Sequence, residues 1–286
     1  MSLNMQVHKN KRSKICSKTD FFDNIEDIVN WLHKLNIINY TIHEDLVVDV
    51  HQHVRLEYCK SCIPVKFGIV YGDFDCSDLD LTSLKGSPRE VYGDFNCSSN
   101  KLQSLKYCPS VVNGGLNCSH NKLKLLKGSP NIVNGPFCCD NNSLESLLYC
   151  TEKVYGNFSC NNNKLISLEH SPKIIYENFY CHHNMLTSLK GCPTVINGTL
   201  NCSDNKLNLF EFLPVEIKNS LNINRNCIDK DELGNFNTQV SNNIYSDLGD
   251  NEDFLSAVRM AKINKEKVEL TSILNNNNLY SQKKRI

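Results

Sequence analysis

The chain has 286 residues, with 31 Lys+Arg balanced by 31 Asp+Glu, 15 Cys and a single Trp. Zero net charge removes the general electrostatic case for nucleic acid or an acidic membrane surface as main partner. No apolar run approaches the roughly 18 residues that a membrane-spanning helix needs, and the start of the chain lacks the apolar core of a secretory signal.

Residues 1–18 read as a basic, mobile arm carrying Lys9, Lys11, Arg12, Lys14 and Lys18. Residues 19–64 read as an N-terminal cap. A helix is predicted over 19–40. Asp20 can cap it, and Phe21, Phe22, Ile25, Ile28, Val29, Trp31, Leu32 and Leu35 supply its apolar stripe. The alternating stretch at 41–56 predicts a β-hairpin.

From residue 65 to 228 the chain is periodic. Cys76, Cys97, Cys118, Cys139, Cys160, Cys181 and Cys202 recur every 21 residues. Other columns keep the same step. Two residues before each Cys stands Phe or Leu (Phe74, Phe95, Leu116, Phe137, Phe158, Phe179, Leu200). Earlier comes Val or Ile (Val70, Val91, Val112, Val133, Val154, Ile175, Ile196). One Leu column (Leu81 to Leu207) follows every Cys and a second runs from Leu84 to Leu189, and Asn100, Asn121, Asn142, Asn163, Asn184 and Asn205 hold a polar place. A degenerate eighth unit ends at Ile228. One such unit buries only an apolar edge, so successive units must stack.

The F-x-C pair alternates with strand period, so Phe and Cys are predicted to point inward. Parallel strands about 4.8 Å apart make a stack roughly 35 Å long. The Asn carboxamide can donate and accept where the chain turns, predicting a ladder down the stack. The Gly column (Gly72, Gly93, Gly114, Gly135, Gly156, Gly198) predicts a tight bend or a positive φ before each strand. Pro88, Pro109, Pro130, Pro172 and Pro193 disfavour helix in the returns. The expected fold is a repeat solenoid with short parallel strands on one face, extended or turn returns, and helical caps at both ends. Residues 229–286 read as a polar linker and a C-terminal capping helix. Asn251 is its expected cap, and Phe254, Leu255, Val258, Ala261 and Ile263 its apolar side.

The unit F-N-C-S-S-N-K-L-Q-S-L-K-Y-C-P (95–109) resembles the short leucine-rich repeat of bacterial effectors, phages and large DNA viruses, L-x-C-S-x-N-x-L-T-S-L-x-x-x-P. The resemblance covers about residues 65–228. It implies a leucine-rich-repeat-like solenoid and, as function, a protein-binding scaffold. The departures are specific. Val91 precedes Phe95 by four positions, Leu79 stands where Asn belongs, Glu177 replaces Gly and Thr151 replaces Pro. Gly86-Ser87, Tyr107-Cys108, Gly128-Ser129 and Tyr149-Cys150 also alternate, as though a two-unit block had been copied.

The chemistry-bearing residues have bland readings as well as sharp ones. A linear Cys ladder cannot converge four thiolates on zinc, so Cys reads as small core filler. His51, His53, Cys59 and Cys62 have zinc-like spacing, but the histidines fall where a hairpin turn is expected. Cys227-Ile228-Asp229 matches the C-x-D nucleophile of cysteine ubiquitin ligases, yet only a short segment follows it. Asp73, Asp75, Asp78, Asp80 and Asp94 read as a solvated rim. Lys101, Lys122, Lys164 and Lys206 form a lysine row. A nucleic-acid track would want aromatic residues beside it, and the units offer few, so nucleic acid is not expected as partner.

Most exposed positions flanking the Cys column are small and polar. The unit Tyr180-Cys181-His182-His183 is the exception, and interfaces depend on such anchors. The expected partner-binding residues are Tyr180, His182 and His183, with His120, Asp140, Asn161 and Asp204 on matching positions. No catalytic residue, metal or cofactor is expected. The chain is expected to be a monomeric, non-enzymatic protein-interaction module in the cytoplasm, that of a host if viral or effector-derived. The alternatives are a substrate receptor for a ubiquitin ligase and a nucleic-acid-binding accessory protein.

Overall fold

The computed structural model describes residues 21–57 and 61–283. The basic arm, Asp20 and Cys59 lie outside them. The repeats form one continuous parallel β-solenoid. In it Phe74 pairs with Phe95, Phe95 with Leu116, Leu116 with Phe137 and Phe137 with Phe158. The same register carries Phe158 to Phe179, Leu200 and Leu221. Equivalent stations of the repeat therefore sit on successive turns. The Phe, Cys, Val and Leu columns are all buried in one core.

Each coil carries two short strands rather than one. Glu90–Val91 and Phe95–Asn96 belong to different sheets. The Phe-type strands make a ten-stranded sheet and the Val-type strands an eight-stranded one, continued by a three-stranded sheet. The chain bends at Tyr92–Asp94 between them. The four-residue step from Val91 to Phe95 spans that corner.

The Gly column serves the corner by close approach and not by a positive φ. A Cβ on Gly114 would lie 2.6 Å from the Gly93 carbonyl carbon, and one on Gly135 2.7 Å from Gly115 N. The stacked backbones leave no room for a side chain there. Positive φ occurs at two other columns. One is the residue before the ladder Asn: Ser99, His120, Asn141, Asn162, His183, Asp204 and Arg225. The other is the alternating column, Gly86, Tyr107, Gly128, Tyr149, His170, Gly191 and Phe212. The Gly/Tyr alternation thus falls on a left-handed turn position, where Gly is the unstrained choice.

Both ends are covered. Helix α1 (Ile25–Lys34) is capped by Asn24, whose Oδ1 accepts the Asp27 N–H at 2.8 Å. It buries Ile28 and Leu32, while Trp31 bridges Phe22 and Phe67 at ring distances of 6.4 and 6.3 Å. The hairpin pairs Tyr40–Ile42 with Val47–Val50. Val47–Val50 and Val54–Arg55 already pair in parallel with the strands that follow, so the stack begins within the hairpin segment.

At the other end, residues 229–250 are ordered into a further coil. A 3-10 turn (Lys230–Asn235) leads to Gln239–Val240 and Ile244–Tyr245, which extend two of the sheets. Helix α2 (Asn251–Lys283) then seats Phe254 against Phe210 and Phe236 at 6.4 and 5.1 Å. Its cap is Asp250, whose Oδ1 accepts from Glu252 and Asp253 N–H, and not Asn251. Asn251 instead accepts the Ile244 N–H at 3.1 Å, tying the helix to the last coil.

Candidate functional site

The surface beside the Cys column is built on a fixed frame. Each ladder Asn donates to the carbonyls of the Cys-column residues of its own and the preceding coil, Ile223 standing for Cys in the coil of Asn226, and accepts a Leu N–H from the preceding coil. For Asn163 these are Cys160 O and Cys139 O, both 3.1 Å, and Leu144 N, 2.9 Å. The predicted ladder is present from Asn100 to Asn226. A second ladder runs at the corner. Asp73 accepts the Asp94 N–H at 2.8 Å, Asp94 the Gly115 N–H at 2.6 Å, and Asn178 the Thr199 N–H at 2.7 Å. Asp73 and Asp94 therefore join coils, where the sequence suggested only a solvated rim.

On this frame the structure brings Tyr180, His182, His183 and Asp204 together. The Tyr180 ring meets His182 edge-on at 6.4 Å, and His182 meets His183 at 5.4 Å. His183 Nε2 lies 3.7 Å from Asp204 Oδ2, whose other oxygen is 3.1 Å from an Arg225 guanidinium nitrogen. Arg225 was missed in the sequence. The signal was available, since it follows Asp204 by the repeat step and precedes the ladder residue Asn226.

The other expected residues are spread along the same rows. Asp140 and Asn161 share the row of His182, each following its coil's Cys. His120 shares the row of His183 but lies three coils away, its N–H on Asp140 O at 3.0 Å. Asp140 Oδ2 accepts from Asn141 Nδ2, and Asn161 Oδ1 from Ser159 Oγ.

His182 Nδ1 is buried and has no hydrogen-bond partner among the described residues. Partial burial and the neighbouring His183 push the His182 pKa below the usual imidazole value, against the pull of Asp204 and Asp140. The unpartnered nitrogen points into the protein, so the half-buried His182 ring presents only its exposed edge to this surface. Tyr180, His182, Asp204 and Arg225 can offer two aromatic rings, a carboxylate and a guanidinium to one ligand. The other candidates have structural duties. Burial pushes the Cys97 and Cys202 thiols up to about 12, which suits core filler and not nucleophiles. Cys227 is exposed, but Asp229 is engaged as the cap of the 3-10 turn, accepting the Asp231 N–H at 3.1 Å.

His51 stacks on Tyr71 at 4.7 Å, His53 pairs with Asp73 at 2.9 Å, and Cys62 is disulfide-bonded. Among the described residues no group of three or more His, Cys, Asp or Glu could hold a metal ion. Nor is any helix among them long and apolar enough to cross a membrane. No family model matches the chain, and no curated protein matches it.

Proposed function

We propose that the chain is a non-enzymatic interaction scaffold, a solenoid that presents the surface around Tyr180 to a protein partner. The observation that carries this reading is the concentration of Tyr180, His182, His183, Asp204 and Arg225 on neighbouring coils of an otherwise small, polar surface. Aromatic and Arg side chains held in fixed geometry are the usual energetic centres of interfaces. The two side-chain ladders pre-organise this surface, so binding would cost little ordering entropy. The resemblance of the units to short leucine-rich repeats points the same way, and the reading places the protein in a cytoplasm, that of a host if it is an effector or viral product.

The test is affinity capture from lysate with the full chain, comparing wild type and Tyr180→Ala/His182→Ala/Arg225→Ala, followed by titration of the captured protein. The triple variant is expected to lose a specific co-purifying protein while keeping its thermal unfolding profile. Equal capture by both chains would remove this surface from consideration.

A further inference from the structure

Between Asp94 and Asp140 the sequence contains Lys101, Lys106, Lys122, Lys124 and Lys127 and no carboxylate. A chain of zero net charge thus concentrates positive charge on adjacent coils. All five lysines are exposed, and they lie on two return segments, 101–107 and 122–128. These returns run side by side, joined by the Leu105 N–H to Lys127 O at 3.0 Å. Lys101 reaches Asp80 at 2.8 Å and Lys124 reaches Glu145 at 3.6 Å, both carboxylates belonging to flanking coils. Lys106, Lys122 and Lys127 make no ion pair among the described residues. The basic strip is therefore largely unneutralised.

The first of these returns, and the return that follows the second, end in aromatic rings. Tyr107 closes the first and Tyr149 the third, both about half exposed at 49% and 52%. Each holds the left-handed turn position, with φ of 71° and 68°. Gly128 occupies that position between them, so the intervening coil places no side chain at this station. Packing does not require Tyr there, because Gly takes the same station in alternate coils at lower conformational cost. Lys106 Nζ lies 4.9 Å from the Tyr107 ring, which keeps charge and ring together.

We propose that this edge binds single-stranded nucleic acid, with phosphates along Lys106, Lys122, Lys127 and their neighbours and bases stacked on Tyr107 and Tyr149. A positive track beside exposed rings is the arrangement that sequence-independent single-strand binding uses. The aromatic component absent from a reading of the lysine row alone is supplied by the turn column. An acidic protein segment would use the lysines but gain little from two exposed rings. The edge is distinct from the surface around Tyr180, and its test stands apart from the scaffold reading.

The experiment is fluorescence anisotropy with the full chain. Labelled oligodeoxyuridylate and oligouridylate of about 20 nucleotides, which differ only in the sugar, are the probes, at about 50 and about 200 mM salt. Saturable binding that weakens with salt is expected, and the tighter of the two probes identifies the sugar. Lys106→Ala/Lys122→Ala/Lys127→Ala should lower the salt slope by about 2. Tyr107→Gly/Tyr149→Gly, which keeps a residue already used at this turn, should weaken binding at least about tenfold with the salt slope unchanged. No anisotropy rise at low salt would overturn the proposal. So would full affinity in the Tyr→Gly variant, and so would equal displacement by polyglutamate, which would assign the edge to an acidic peptide.

Discussion

Asn163 shows how much one side chain can carry in this fold. Its carboxamide closes three carbonyl contacts and one N–H contact across two coils. Asn163→Ala is expected to destabilise the protein by about 3 kcal/mol, since a buried unsatisfied group costs about 1–3 kcal/mol. The neighbouring Asn162, exposed and left-handed, has no such role, and Asn162→Ala should cost about 1 kcal/mol through its φ alone. Urea titration of both variants checks this, and equal losses would deny the ladder its structural weight. The ladder was legible in the sequence because the chemistry admits one residue type. The left-handed column before it was not. It is filled by Ser, His, Asn, Asp and Arg, residues that share a backbone state and no side-chain property.

Each coil is decided by where its backbone can bend. The Val and Phe columns were readable as apolar, but their four-residue separation was ambiguous until the corner at 92–94 assigned them to two sheets. Glycine was legible as a requirement and misleading as to its reason. At Gly114 the constraint is contact with Gly93, its would-be Cβ lying 2.7 Å from the Gly93 oxygen. At the turn column the constraint is φ, and there Tyr107 and Tyr149 accept the strain. The two mechanisms separate by mutation. Gly114→Ala is expected to cost about 2 kcal/mol as overpacking against rigid backbone. Tyr149→Gly exchanges relief of strain for unfolded-state entropy and should shift stability by less than about 1 kcal/mol. Chemical denaturation of the pair, read as midpoints at constant m-value, distinguishes them. A Tyr149→Gly variant as damaged as Gly114→Ala would mean that the ring packs into the fold instead of facing solvent. The candidate surface obeys the same logic. Tyr180 and His182 could be found because their types stand out, whereas Arg225 is recognised only once its column is known to align with Asp204.

For the whole molecule, stability is a sum over neighbouring coils, since each coil touches only the next. The caps end that sum. Phe254 with Phe210 and Phe236 closes one end, and Trp31 with Phe67 the other. The last coil, 229–250, escaped the sequence reading because its unit is longer, Leu221 pairing with Ile244, and it lacks the Cys and Asn columns. A stack of equivalent coils should tolerate loss of a whole unit and not of a fraction. Deleting 122–142 joins Asn121 to Ser143 in phase with the repeat and restores every inter-coil hydrogen bond with a neighbour of the same kind. The shortened chain is expected to unfold cooperatively, with a β-rich circular dichroism spectrum and a modestly lower midpoint. Deleting 122–131 leaves an 11-residue remnant too short to close a coil, removes the Leu123 N–H that Asn142 accepts and breaks the register between the coils on either side of the junction. That chain should lose cooperative unfolding and aggregate. If both deletions behaved alike, the hydrogen-bond register between coils would not be what holds the solenoid together.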